Sequence, residues 1–322
     1  MRLTIVTINY NNVSGLRKTV GSVLSQTCRD FEYVVIDGGS ADGSRAVLER
    51  YSDEIDFWVS EPDSGIYNAM NKGIAHAHGD YLLFLNSGDY LYGKTVIADV
   101  LPLLDGTDVI CGRVMFDEPG SRKLHLYKRG NPKVFRSTYL VVCPLNHSAM
   151  FVRRNVMRNY PYHEDFRIVS DWIFCWESLV FGHCSYLSID NVISVYDKSG
   201  ISSTNHELTS GERRRYLHQI MPPEIVDDIL VYNADDTAFF GRIKDDERLR
   251  TLVNLFNLQL EGLYRTKLHK HNPYNLRLRY SLVNGELPDN WRGRLVRILF
   301  PVLERLLPFR YKRSSVEEED TY

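Results

Sequence analysis

The sequence contains no uninterrupted apolar run of about 18 residues, the length a helix needs to span a bilayer, so no spanning helix is expected. Cysteines are few: Cys28, Cys111, Cys143, Cys175 and Cys184 are odd in number, scattered, and without a C-x-x-C pair. That distribution argues against a disulfide framework or a thiolate zinc site and fits a reduced, cytosolic compartment. A secretory leader is not expected, because the opening apolar stretch gives way almost at once to Asn9, Tyr10, Asn11 and Asn12. Neither sign of charge is in excess: 39 basic residues face 41 acidic ones, net −2, so no global field draws nucleic acid and none is expected as a partner. G-x-G-x-x-G does not occur either. Its absence excludes a dinucleotide fingerprint, and phosphate handling is expected to rest on a metal ion.

What is there is a globular chain of 322 residues, 43% hydrophobic and 12% aromatic, enough for one large core with an appendage. It is organised around Gly65–Leu91. Ile66, Met70, Ile74 and Ala77 recur at helical spacing and stop at Gly79, which predicts a helix ended by a left-handed glycine. Tyr81–Leu85 is then a short apolar run before Asn86-Ser87-Gly88-Asp89, which predicts a buried strand and a polar turn. Upstream, Leu3–Ile8 reads as a strand, and Ser14 as the cap of a helix carrying Leu16, Val20, Val23 and Leu24. Phe31–Ile36 reads as a second strand, ending at Asp37-Gly38-Gly39-Ser40, and Phe57–Ser60 as a third. Alternating β and α elements predict a mainly parallel sheet, in which ligands bind beyond the carboxyl ends of the strands. Strand ends rich in Asn, Asp, Gly and Ser therefore mark the expected site.

Downstream, Val109–Phe116 reads as a strand. The basic section Ser121–Arg136 reads as a solvated hairpin or as an acceptor or membrane contact. Asn146-His147-Ser148 precedes apolar Ala149–Val152, and Ser170-Asp171-Trp172 opens a helix through Val180 with Ser170 as its cap. Ile189–Tyr196 reads as a strand, followed by a Gly/Ser-rich Ser199–Asn205 able to close over a cleft. From His206 the pattern is helical. Trp291–Leu307, with Arg310, Lys312 and Arg313 beyond it, is basic and amphipathic, suited to a membrane surface or to packing within the chain or in a homodimer.

Together, IVTINYNN, VVIDGGSADGS, GIYNAMNKGIAHAHGDYLLFLNSGD and the later SDW resemble the family-2 inverting glycosyltransferases of the GT-A fold. The likeness is greatest to bacterial enzymes that assemble lipopolysaccharide, capsule or exopolysaccharide. The resemblance implies transfer from a nucleoside diphosphate sugar, usually a UDP-sugar, to an acceptor hydroxyl with inversion, aided by Mg²⁺ or Mn²⁺. Such chemistry needs a cation against the leaving diphosphate and a carboxylate on the opposite face of the sugar to take the proton. By the same resemblance, Thr7, Asn9 and Tyr10 form the nucleoside-side turn, and Asp37 accepts a hydrogen bond from the ring N–H of the base. Asn86-Ser87-Gly88-Asp89 stands for the family's D-x-D. Asn86 replaces the leading carboxylate and Gly88 stands where another acid is frequent, so Asp89 remains the charged metal ligand, helped by the Asn86 carbonyl. Asn86 and Ser87 belong with the donor, and Asp63 and Asn68 are expected to face its sugar or nucleoside. Asp171 matches the catalytic base, with Asp165 and Glu164 in reserve. His147 orients the acceptor, touches phosphate, or is a core histidine.

The expected architecture is a Rossmann-like GT-A α/β domain over residues 1–205, its mainly parallel sheet flanked by helices. A helical C-terminal extension follows over 206–290, then a basic amphipathic segment with an acidic tail over 291–322. Expected partners are the donor and a saccharide acceptor, lipid-linked where 291–313 rests on the inner face of the plasma membrane. No Q-x-x-R-W motif is present, which favours one sugar per encounter over a polymer. Two rivals remain: a nucleotide-sugar-binding or scaffold protein of weak catalysis, suggested by the thinned D-x-D, and a nucleotidyltransferase on a similar sheet, although NYNNVSGL after the first strand lacks the Gly-rich, Arg/Lys-containing loop such enzymes bring.

Overall fold

Short apolar runs alternate with amphipathic stripes in the first half of the chain, and they fold as three successive βα units. In the computed structural model these are β1 (Leu3–Asn9), α1 (Val13–Leu24), β2 (Glu32–Asp37), α2 (Ser44–Arg50), β3 (Phe57–Ser60) and α3 (Ile66–His76). The structure describes residues 2–117, 120, 123–127, 131–132, 135, 140, 145–200, 204–223 and 226. Most of the expected helical extension, all of 291–322, and Arg122, Lys128, Arg129, Lys133, Arg136 and Cys143 lie outside them. After α3 come β4 (Tyr81–Phe84), β5 (Tyr90–Leu91), α4 (Val96–Val100), β6 (Val109–Asp117) and β7 (His125–Leu126). Then follow β8 (Met150–Arg153), α5 (Arg154–Asn159), α6 (Ser170–Cys175), β9 (Tyr186–Asp197) and α7 (His206–Ile220). A π-helical turn, Trp176–Phe181, extends α6.

Among the described residues the strands form one sheet in the order β3-β2-β1-β4-β8-β6-β9-β5, with β7 beside β6. The parallel pairs carry the longest registers. They set Asn9 opposite Asp37, Asp37 opposite Ser60, and Val6 opposite Phe84. Every position of β1, β2 and β4 is buried, as strands covered on both faces must be. Because β2 and β3 lie to one side of β1 and β4 to the other, strand order reverses at β1, and in open α/β sheets ligands bind beyond the carboxyl ends of the strands at such a point. β8 runs antiparallel to β4 and β6, whereas β9 is parallel to β6. β5 pairs Tyr90 with Val195 and Leu91 with Ser194, which brings the end of β9 back to the turn after β4.

Leu16, Val20 and Val23 of α1 join Leu3, Ile5, Tyr33, Val35 and Leu83 in the core. Each such side chain contributes about 1.5–3 kcal/mol when fully buried. α3 lies so close to β1 that a Cβ at Gly73 would run into the Val6 side chain. The roughly 0.5–1 kcal/mol that a mid-helix glycine costs is offset by that approach.

Three expected end signals act differently. Asn12, and not Ser14, caps α1, its Oδ1 accepting the Gly15 amide at 3.0 Å. Gly79 does not end α3, which stops at His76; a Cβ there would lie 2.6 Å from the Leu3 backbone, so glycine serves close packing and no left-handed turn. Ser170 is the first residue of α6, and its hydroxyl accepts the His163 amide at 2.6 Å. One compact unit runs Met1–Leu230 and includes α7. No helix among the described residues is long and apolar enough to cross a membrane.

Candidate functional site

The register of β1, β2 and β3 puts Asn9, Asp37 and Ser60 side by side at one sheet edge, and their side chains lock together. Asp37 is 0% exposed. Its Oδ1 accepts from Asn9 Nδ2 and Ser40 Oγ, both at 2.6 Å, and its Oδ2 from Ser60 Oγ at 2.6 Å and the Ser40 amide at 3.0 Å. Burial pushes the carboxyl up, but these four bonds outweigh it and hold Asp37 below the usual carboxylate range. A carboxylate has about four lone-pair positions, so none remains for the base N–H expected there. Asp37 shapes the turn. Thr7 is likewise enclosed: it is fully buried, its hydroxyl 3.1 Å from the Tyr33 hydroxyl, and it does not line the nucleoside side. Tyr10, by contrast, is 65% exposed at the strand end.

The Asn86–Asp89 turn is pinned to α1. Thr19 Oγ1 donates to the Asp89 carbonyl at 2.6 Å and accepts the Gly88 amide at 3.0 Å. Ser87 bonds through its backbone, its amide to Ile8 O and its carbonyl to Asn12 Nδ2. Asp89 is 4% exposed, and its Oδ1 accepts the Asp197 amide at 2.9 Å. Burial pushes its carboxyl up to about 7, the nearby Asp197 carboxylate adding to the rise and His147 and Lys18 opposing it. Gly88 has φ +111°, and a Cβ there would stand 3.1 Å from Asp197 Oδ2. A carboxylate carried by β9 thus occupies the space above the position where the D-x-D pattern has an acid.

Asp171, in the first turn of α6, is the hub of a second network. Its Oδ1 accepts from Tyr67 Oη at 3.2 Å and the Trp172 amide at 2.9 Å, and its Oδ2 faces His147 Nδ1 at 3.1 Å. His147 Nε2 lies 3.1 Å from Asn86 Nδ2. The neutral tautomer that gives Nδ1–H to Asp171 accepts the Asn86 amide at Nε2, leaving Asn86 Oδ1 buried and without a partner. Burial pushes His147 down, but its bond to Asp171 and the charges of Asp171 and Asp89 raise it overall. The single Tyr67 hydroxyl proton is shared between Asp171 and Ile168 O, the latter at 2.5 Å, and Glu212 of α7 accepts the Arg167 and Ile168 amides at 2.7 and 2.9 Å. The loop entering α6 is therefore held from α3 and α7.

The other expected residues fall outside these networks. Asn68 and Asn71 each donate to Glu164 at 2.9 Å, so Asn68 holds a loop and Glu164 is committed to α3. Asp165 pairs with Arg215 at 3.4 Å, and Lys72 with Glu61 at 2.7 Å. Asp63 Oδ1 accepts the Gly65 amide at 3.0 Å, and its Oδ2 lies over Gly38.

The sequence pattern described as Glycosyl transferase family 2 matches residues 4–165. An uncharacterized glycosyltransferase of Mycobacterium tuberculosis (strain CDC 1551 / Oshkosh) is 32% identical over 225 residues, 68% of this chain and 85% of that protein. The chain belongs to glycosyltransferase family 2. A PGL/p-HBAD biosynthesis glycosyltransferase of Mycobacterium bovis (strain BCG / Pasteur 1173P2) is 29% identical over 178 residues, covering 53% of this family-2 chain and 67% of the relative. Among solved structures, S. aureus TarS 1–349 in complex with UDP-GlcNAc has a TM-score of 0.55 at 16% identity, covering 79% of this chain and 85% of that one. TarS 1–349 without that ligand gives 0.54 at 19% identity over 72% and 70%. The shared fold is GT-A.

Several residues of this family-2 site escaped the sequence reading: Asp197, Thr19, Tyr67 and Glu212. One signal was present for Asp197. It closes an apolar strand run just as Asp37 closes another, so the strand-end rule applied to β1, β2 and β4 extends to β9. A concavity of about 480 Å³, lined by Asn71, Ile74, Ala75, Met157, Arg158 and Pro161, includes none of the strand-end residues.

Proposed function

We propose that the chain transfers one sugar from a UDP-sugar to an acceptor hydroxyl with inversion, in the assembly of a bacterial surface polysaccharide. The observation that carries this reading is the continuous chain Asp171–His147–Asn86, which ties a half-buried carboxylate to the turn that stands for D-x-D. TarS, of the same fold, is complexed with UDP-GlcNAc, which supports a UDP-sugar as donor.

Asp171 takes the proton of the incoming hydroxyl. One carboxylate and one displacement give inversion, because the hydroxyl enters on the face opposite the leaving diphosphate. Tyr67 and the Trp172 amide hold one carboxylate oxygen and His147 the other, fixing the rotamer before substrate arrives.

A divalent cation fits the donor set at the turn. Among the described residues no three His, Cys, Asp or Glu side chains gather as a metal cluster. Oxygen atoms suited to Mg²⁺ or Mn²⁺ are nonetheless present: the carboxylates of Asp89 and Asp197 and the orphaned Oδ1 of Asn86. One or two carboxylates suffice when substrate phosphates and waters complete the shell. Asp89, Asp197 and Asn86 would hold such an ion, and the chemistry it would supply there is neutralisation of charge on the departing diphosphate.

A lipid-linked acceptor, contact of 291–313 with the inner face of the plasma membrane, and pairing of two chains through that segment belong to the same reading. The test is donor turnover by wild type and by Asp171→Asn, with UDP release measured for a panel of UDP-sugars. Loss of release with retained UDP binding supports the assignment; equal release by the variant contradicts it.

A further inference from the structure

At the carboxyl edge of β1 and β2, three features converge. Gly38 follows Asp37 directly, and a Cβ built on it would run into Asp63 Oδ2, with Asp63 Cγ at 3.0 Å and Tyr10 Cδ2 at 3.2 Å. The Asp63 carboxylate and the Tyr10 ring therefore flank the bare glycine backbone. Asp63 arrives from the loop between β3 and α3, where its Oδ1 is tied to the Gly65 amide at 3.0 Å. Its Oδ2 takes no hydrogen bond among the described residues. An exposed aromatic face beside a fixed, unoccupied carboxylate oxygen is the pair of features a nucleobase needs: stacking on the ring and an acceptor for a ring N–H.

We infer that Asp63, seated over Gly38 and beside Tyr10, is the residue that reads the base of the donor nucleotide, selecting a ring N–H as in uracil or guanine against the ring-nitrogen acceptor of cytosine or adenine. The inference rests on the proposed donor reading and deepens it, moving base recognition from Asp37 to Asp63. Asp37 has each carboxylate oxygen already occupied twice from within the turn. Position 38 explains itself on the same account. Any side chain there displaces the carboxylate, so glycine at 38 and aspartate at 63 are a matched pair, and the glycine is required by space, since its φ is not in the left-handed region.

The test is calorimetric binding of UDP, GDP, CDP and N3-methyl-UDP, with Mn²⁺ present, to the full chain and three variants. Wild type is expected to bind UDP or GDP at least tenfold more tightly than CDP, and UDP more tightly than its N3-methyl form by a similar factor. Asp63→Asn keeps an acceptor for the Gly65 amide and so preserves the loop; it should erase both preferences and raise the affinity for CDP relative to UDP. Gly38→Ala, which alters no polar group, should weaken UDP binding in the same manner, with thermal unfolding confirming that both variants fold. Asp37→Asn should lower stability while leaving the ratio of UDP to CDP affinity intact. Retained preference in Asp63→Asn overturns the inference and leaves the donor reading standing, as does loss of preference in Asp37→Asn alone. Absence of binding by wild type to every nucleotide overturns the donor reading and this inference together.

Discussion

His147 stands with Nδ1 3.1 Å from Asp171 Oδ2 and Nε2 3.1 Å from the Asn86 amide nitrogen, so one imidazole spans from Asp171 to the turn after β4. If Asp171 is the base of the proposed displacement, a change in the turn is felt by the carboxylate that must be aligned with the hydroxyl. Asp171→Asn should lower kcat by roughly 10²–10⁴-fold, the range spanned by a lost general base. His147→Ala should cost roughly tenfold or more in kcat, the scale of one hydrogen bond to a charged group, with UDP affinity changing little. Steady-state kinetics on both variants, with donor binding measured separately, checks the split.

Asp197 should behave as a metal-site residue although it lies far from the turn in sequence. Asp89→Asn is expected to abolish metal-dependent UDP binding, and Asp197→Asn to weaken it by about tenfold while metal-free binding is unchanged. Titration of Mn²⁺ followed by electron paramagnetic resonance, with UDP present, measures this without turnover. Equal Mn²⁺ affinity in wild type and Asp197→Asn would remove Asp197 from the site.

Gly88 tests the same geometry from the other side. Alanine there meets both φ +111° and Asp197 Oδ2 at 3.1 Å. Gly88→Ala should destabilise the fold by about 1–2 kcal/mol, the cost of a left-handed conformation for a residue with a Cβ. Urea unfolding gives the value.

Glu212 should act on catalysis through the loop before α6. Its carboxylate is the acceptor for the Arg167 and Ile168 amides. Glu212→Ala leaves two backbone donors without that acceptor, and about 1–3 kcal/mol of stability should be lost. As a positioning residue it should lower kcat more than donor affinity, with Glu212→Gln recovering part of both.

Acid should weaken the fold through the first residue of β2. Glu32 accepts from Thr4 Oγ1 at 2.6 Å, from the His78 amide at 2.8 Å, and faces His78 Nδ1 at 2.8 Å. Burial pushes its carboxyl up, but these partners hold it below the usual value. A carboxyl depressed in the folded state stabilises the protein at pH above its unfolded pKa, about 4.3, and loses that contribution as pH falls through the folded value. Stability of wild type relative to Glu32→Gln should be greatest near neutrality and shrink below about pH 4, as thermal unfolding across pH will record.

The sheet was legible because β1, β2 and β4 are buried on both faces, and such strands appear in the sequence as apolar runs with polar stops. The place of Asp171 in the first turn of α6 was legible from SDW at the opening of an apolar run. What sequence could not supply was depth and pairing. Thr7 shares its side of β1 with Asn9 but lies two residues deeper, where Tyr33 closes over it, so nearness to the turn did not mean access. Asp37 looked like a binding carboxylate because its four donors come from three strand ends brought together by register. Asp197 depends on a two-residue strand, β5, pairing with the end of β9, a contact too short to announce itself in sequence.

The central claim is that this chain performs an inverting transfer with Asp171 as base. The most direct measurement is nuclear magnetic resonance of the first product formed from an anomerically ¹³C-labelled UDP-sugar, with water or an added saccharide as acceptor. Inverted product from wild type, and none from an Asp171→Asn variant that still binds UDP, is the predicted result. A product of retained configuration, or the same inverted product from the variant at the wild-type rate, would contradict it.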